Sequence, residues 1–145
     1  MYNGLLHAHS GLRWVVLVLL LAAIFNAFSK KKGGIWTPKD KKVTLFAMIF
    51  THIQLLIGLV LYFISPKVSF GEGMISDSIL RFYAVEHLVT MLLAIALITI
   101  GYSKSKKAES DAKKFGAVAT FYLIGLVLIL AGIPWPFRIA GAGWF

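Results

Sequence analysis

Glu86 and His87 stand side by side in the stretch RFYAVEHLVTM (81–91), inside an otherwise apolar run. Ionisable residues in such runs are costly and mark functional candidates. The others are few. HAHSGLR supplies His7, His9 and Arg13, and THIQ supplies Thr51, His52 and Gln54. Neutral imidazole is a common axial ligand of non-covalent haem, where two histidines on facing elements clamp the iron. His9, His52 and His87 therefore form the candidate cofactor set, ligating a metal only through haem iron. Arg13 and Glu86 form a supporting polar cluster. No catalytic residue is expected. Ser10, beside His7 and His9, has no acidic residue nearby to orient a base, and the chain carries no phosphate loop, nucleotide fingerprint or carboxylate-rich metal motif.

The elements that must position these residues follow from composition. Of 145 residues, 59% are apolar and 14% charged, and the mean hydropathy is +0.81. A soluble protein of this length cannot hide so much apolar surface, so the expected class is integral membrane. There is no cysteine, which excludes disulfides, thiolate metal sites, iron–sulfur clusters and covalent haem attachment. Four apolar runs can each cross about 30 Å of hydrocarbon, which takes roughly 20 residues. Helices are expected at about 5–29, 43–64, 78–103 and 114–134, and the whole chain, 1–145, reads as one transmembrane domain. The runs lack strand alternation, so a barrel is excluded. Short connections imply an all-α, up-down-up-down four-helix bundle.

The net charge of +9 falls mainly in two lysine blocks. Lys30, Lys31, Lys32, Lys39, Lys41 and Lys42 come after the first run; Lys104, Lys106, Lys107, Lys113 and Lys114 come after the third. They read as topology signals, not as lipid or nucleic-acid sites. The positive-inside rule places both blocks in the cytoplasm and both termini and the 65–78 loop outside. Because the first positive block comes after its apolar run, that run is expected to be a retained helix, not a cleaved signal. Asp77 is expected to cap the third helix, Ser65-Pro66 to end the second, and Trp135 and Trp144 to anchor the outer interface.

At 1.5 Å per residue, His52 lies about 15 Å from the lysine-rich ends, His87 and Arg13 about 25 Å, and His9 about 31 Å. Glu86 is level with Arg13, so an Arg13–Glu86 pair between helices 1 and 3 is the expected arrangement. His87 would then face the interior with His9 or His52. Gly58 and Gly11 offer room for a porphyrin edge, and Arg13 or Arg81 could meet propionates. His7 points away from His9 and reads as a solvated residue. The alternative for His52 is interhelical hydrogen bonding with Thr51 and Gln54. Gly116, Gly125 and Gly132 read as close-packing positions in helix 4.

The stretches LHAHSGLRWVVLVLL and THIQLLIGLVLYF resemble the helix starts of small membrane cytochromes of the b561 and CopD-like type. The whole chain is similar to small four-span bacterial membrane proteins loosely labelled cytochrome b. The resemblance implies a four-helix bundle with histidine pairs near helix ends, haem b as cofactor, and His9, His52 and His87 as axial ligands. The chain departs from the pattern in having no histidine on its fourth helix, which leaves one ligand pair at most.

The expected function is a membrane-embedded b-type haem electron-transfer or quinone-linked subunit, an electron carrier more than a stand-alone enzyme. Its surroundings would be the lipid bilayer of a bacterial inner membrane and other membrane protein subunits, without nucleic acid. Two alternatives come from other classes: a non-redox accessory subunit of a larger inner-membrane complex, and a small proton-relay protein. No broken-helix pair supports the last.

Overall fold

The computed structural model describes residues 1–144. It is an all-α bundle of four long helices, α1 (Tyr2–Lys30), α2 (Pro38–Ile64), α3 (Ser78–Lys107) and α4 (Asp111–Gly132), each long and apolar enough to cross a membrane. Successive helices run antiparallel. The two lysine-rich turns therefore share one end, here the lysine end. The N-terminus, the 65–77 loop and the C-terminal tail share the other, here the tail end. There the Tyr2 hydroxyl lies 3.2 Å from Ser65 Oγ. Helices α1 and α2, α3 and α4, and α1 and α4 pack closely, α2 and α3 more sparsely; α1 and α3 face one another diagonally.

Three helices begin earlier than hydropathy alone indicates, α1 at Tyr2 among them. Helix α2 starts at Pro38 because Thr37 caps it with a reciprocal Asp40 bond, and proline fits the first helical position. Helix α4 starts at Asp111, capped by Ser110. Caps of polar residues extend a helix into the headgroup region, beyond the apolar run that signals it. Asp77 caps α3 as expected, accepting from the amides of Ile79 and Leu80 at 2.8 and 3.0 Å. Helix α2 ends at Ile64, before Ser65-Pro66.

The bundle is solid in one half and hollow in the other. Its largest fully buried side chains, Leu20, Asp40, Thr44, Thr51, Ile98, Ser105, Phe115, Val118 and Tyr122, lie from mid-span to the lysine end, while Phe82, Ala84 and Ile133 are buried towards the tail end. Tyr122 crosses the core and donates to the Thr44 carbonyl at 2.8 Å, satisfying a hydroxyl that would be costly if unpaired. Glycines set the α3–α4 spacing. A Cβ on Gly101 would sit 2.6 Å from Phe121 Cβ, and one on Gly125 2.7 Å from Ile98 Cγ1. Small residues let membrane helices approach where no hydrophobic force between them exists. Gly125 and Gly132 are close-packing positions as expected. Gly116 meets nothing within 4 Å and is not one.

Asp40 locks α1 to α2 at the lysine end. Its carboxylate, 2% exposed, accepts from Lys30 Nζ and Asn26 Nδ2, both at 2.7 Å, and from the Thr37 amide and hydroxyl at 2.7 and 2.6 Å. Four donors compensate the burial of one charge.

Candidate functional site

The stretch that carries Glu86 and His87 is not a uniform α-helix. Residues Phe82–Glu86 form one π turn, with the His87 amide bonded to the Phe82 carbonyl five residues back. The Tyr62 hydroxyl on α2 donates to the Ala84 carbonyl inside this turn at 2.8 Å. Single π turns are rare and occur frequently at functional sites. The extra residue rotates the remainder of α3 by about 100° relative to an unbroken helix. It also brings residues five apart together, so Arg81 Nε donates to Glu86 Oε1 at 2.7 Å.

That local pair corrects the expected Arg13–Glu86 contact. Glu86 points outward, with its side chain 44% exposed. Arg13 turns instead to the tail: its Nη2 donates to the Trp144 carbonyl at 2.6 Å, and Trp14 Nε1 donates to the same oxygen at 3.2 Å. The guanidinium carbon lies 5.3 and 5.7 Å from the ring centroids of Trp14 and Trp135. Those two rings and Trp144 pack within 6.0 to 6.5 Å of one another. Trp14 and Trp135 thus hold the guanidinium through cation–π contacts, and Trp144 accepts from it through its carbonyl. Arg81 is likewise spent locally, donating to the Ile75 carbonyl as well as to Glu86.

His9 on α1 and His87 on α3 do meet. Their ring centroids are 6.4 Å apart at an interplanar angle of 72°, across the diagonal of the bundle. Both line a cavity of about 390 Å³ in the hollow half. Its wall is mostly apolar (Leu55, Leu59, Met91, Ile95, Ile129), and Gly141–Gly143 of the tail contribute to it. No aspartate or glutamate lines it among the described residues. His87 Nδ1 lies 2.7 Å from the Gly132 carbonyl. A carbonyl only accepts, so the proton sits on Nδ1 and the Nε2 lone pair is free to bind a metal or accept a proton. A backbone carbonyl in this position is the usual orienting partner of a metal-ligating imidazole.

His9 is positioned by α2. A Cβ on Gly58 would come within 2.9 Å of His9 Cε1, so the room that Gly58 makes is occupied by the imidazole and not left for a porphyrin edge. Gln54 Nε2 donates to the His9 carbonyl at 2.7 Å. Three buried side-chain atoms have no hydrogen-bond partner among the described residues: His9 Nδ1, Arg13 Nε and Gln54 Oε1. All three residues line the one cavity. Unsatisfied buried polar atoms are rare and call for an explanation. They are a donor from arginine, an acceptor from glutamine and a ring nitrogen, buried in three residues that share one cavity wall.

His52 stands apart. It does not line this cavity. Its Nδ1 donates to the Met48 carbonyl at 2.8 Å, and Nε2 lies 3.2 Å from the Thr99 hydroxyl on α3. Nδ1 is engaged and Nε2 faces the Thr99 hydroxyl, which itself donates to the Ile95 carbonyl at 2.7 Å; the contact with α3 is of the interhelical kind that the hydrogen-bonding alternative describes. His7 is exposed. Sequence reasoning passed over three contributors: the Gly132 and Trp144 carbonyls, which carry no signal in residue type, and the Tyr62 hydroxyl.

The separation of the two rings is compatible with a pair of imidazoles flanking one metal. Two metal–imidazole bonds of about 2 Å each separate the nitrogens by about 4 Å and the ring centroids by roughly 6 Å, against 6.4 Å here. No group of three or more His, Cys, Asp or Glu able to hold a bare metal ion occurs among the described residues. Comparison with known proteins adds no family: no protein-family model, curated protein or solved structure matches the chain.

Proposed function

We propose that the protein is a membrane-embedded b-type haem electron-transfer subunit, exchanging electrons with membrane quinone and with other subunits of a complex in a bacterial inner membrane. The observation that carries the reading is the His9–His87 pair, 6.4 Å apart across an apolar cavity. His9 and His87 would hold the iron; bound haem b would supply a one-electron centre. The chain's own residues then have definite tasks. The Gly132 carbonyl fixes the His87 tautomer and ring orientation. The mostly apolar wall lowers the polarity around the pair, and Arg13 places a positive charge beside it. Solvent exclusion and nearby charge are the levers by which a protein sets a haem potential. His52 serves as packing between α2 and α3. With the lysine end in the cytoplasm, both termini and the cavity lie towards the outer face.

The test is the absorption spectrum of detergent-purified protein expressed with haem supplementation. A Soret band and a reduced α-band are expected, lost in His87→Ala and His9→Ala and kept in His52→Ala. Absence of both bands in the wild type would overturn the proposal. The non-redox accessory subunit would then be tested by co-purification at fixed stoichiometry with a larger complex.

A further inference from the structure

A second, smaller cavity of about 200 Å³ opens at the lysine end, remote from the histidines. It is lined by Lys41 at the start of α2, Lys106 and Ser105 near the end of α3, Lys114 in the first turns of α4, and the rings of Trp36 and Tyr102. Three elements thus bring three lysines to the wall of one concave space. Lys41 and Lys106 make no ion pair among the described residues; Lys114 lies 3.4 Å from Asp111 of its own helix. Asp40, the other carboxylate near α2's start, is enclosed by Lys30, Asn26 and Thr37 and does not line the cavity. The cavity floor is firm. Ser105 is 2% exposed, and Trp36 packs on Phe115 with centroids 4.8 Å apart.

The level of this space identifies its occupant. Lys41 precedes the apolar run that starts at Val43, and Tyr102 ends the run of α3. The cavity therefore lies where hydrocarbon gives way to headgroups. Tryptophan and tyrosine favour that level, and basic pockets between helices at that level suit the phosphates of anionic lipids. We propose that this cavity is a binding site for the phosphodiester headgroup of an anionic phospholipid, with Lys41, Lys106 and Lys114 as its cationic donors and Trp36 and Tyr102 as its interfacial walls. The lysines then do more than set topology: the two blocks, distant in sequence, close on one lipid phosphate and tie the α1–α2 and α3–α4 hairpins together. The site does not depend on a haem at the other end.

The experiment titrates detergent-purified full-length protein with dioleoyl phosphatidylglycerol or dioleoyl phosphatidylcholine. Its readouts are the thermal midpoint and the lipid retained in native mass spectrometry. Phosphatidylglycerol is expected to raise the midpoint by a few degrees and to be retained, phosphatidylcholine not. At about 1 kcal/mol for each lysine at the surface, Lys41→Gln with Lys106→Gln weakens apparent affinity by about thirtyfold. The control is Lys32→Gln with Lys113→Gln, which removes the same charge from exposed positions outside the cavity; it is expected to stay within about threefold of wild type. Equal response to the two lipids overturns the site. So does an unchanged affinity in the cavity double variant, or an equal loss in the control, since that pattern is attraction to net charge alone. All four substitutions are at surface lysines, so every variant is expected to fold, and its midpoint without lipid checks that directly.

Discussion

Gly58→Ala tests how the histidine pair is held. The added methyl would lie 2.9 Å from His9 Cε1, and 3.6 and 3.7 Å from the two ring nitrogens. An ordinary carbon–carbon contact is about 3.5–4.0 Å, so the imidazole must retreat by at least about half an ångström. Overpacking of this kind costs about 1–3 kcal/mol. Replacing a mid-helix glycine by alanine returns about 0.5–1 kcal/mol. The net expectation is a loss of about 0–2.5 kcal/mol, a midpoint lowered by up to about 8 °C at roughly 3 °C per kcal/mol for a chain of this size. The informative comparison is the same substitution in a His9→Ala background. There the methyl meets no ring, the overpacking cost vanishes, and Gly58→Ala becomes stabilising by up to about 1 kcal/mol. The coupling energy between the sites is then about 1–3 kcal/mol. Thermal unfolding in detergent of the four proteins of the cycle measures it. If Gly58→Ala has the same effect in both backgrounds, His9 does not occupy the space that Gly58 leaves, and the pair is not held in this way.

The packing implies three further outcomes. Asp40→Ala removes the acceptor of four hydrogen bonds and the capping box of α2. Breaking a buried pair costs about 3–5 kcal/mol, but Lys30 is 37% exposed and regains water, so about 2–4 kcal/mol is expected in denaturant unfolding; a loss below about 1 kcal/mol contradicts the lock. Glu86→Gln is expected to change stability by less than about 1 kcal/mol, because its pair with Arg81 is solvent-exposed; a loss above about 2 kcal/mol would mean the carboxylate has an inward role. Gly101→Ala forces a Cβ to within 2.6 Å of Phe121 Cβ, an atom fixed to the α4 backbone. The helices must part, at about 1–3 kcal/mol, and the melting midpoint should fall despite the gain in helix propensity.

What was legible in the sequence was whatever depends on one helix at a time. Apolar length and the lysine blocks determine four antiparallel spans, because the bilayer tolerates no unsatisfied backbone and helices satisfy their own. The cap at Asp77 and the stop at Ser65-Pro66 are local hydrogen bonding and sterics, and they are found where the residue types put them. The polar residues of the spans were also all in view, and they included both members of the histidine pair. Partners were another matter. Glu86 level with Arg13 is a sound count along an ideal helix, but the π turn at Phe82–Glu86 shifts the phase by one residue and hands Glu86 to Arg81. Arg13 is engaged by a backbone carbonyl, that of Trp144, 131 positions away in the chain, and His87 by the Gly132 carbonyl, 45 away; every residue type carries that group, so no pattern announces it. Which of three histidines face one another depended on Gly58 admitting the His9 ring and on Met48 and Thr99 engaging His52. The sequence alone determined the spans and the inventory of polar groups, because both depend on transfer to hydrocarbon and intrahelical bonds. The tertiary structure decided the pairings, because a hydrogen bond is settled within a few tenths of an ångström by the phase and approach of helices that no single segment specifies.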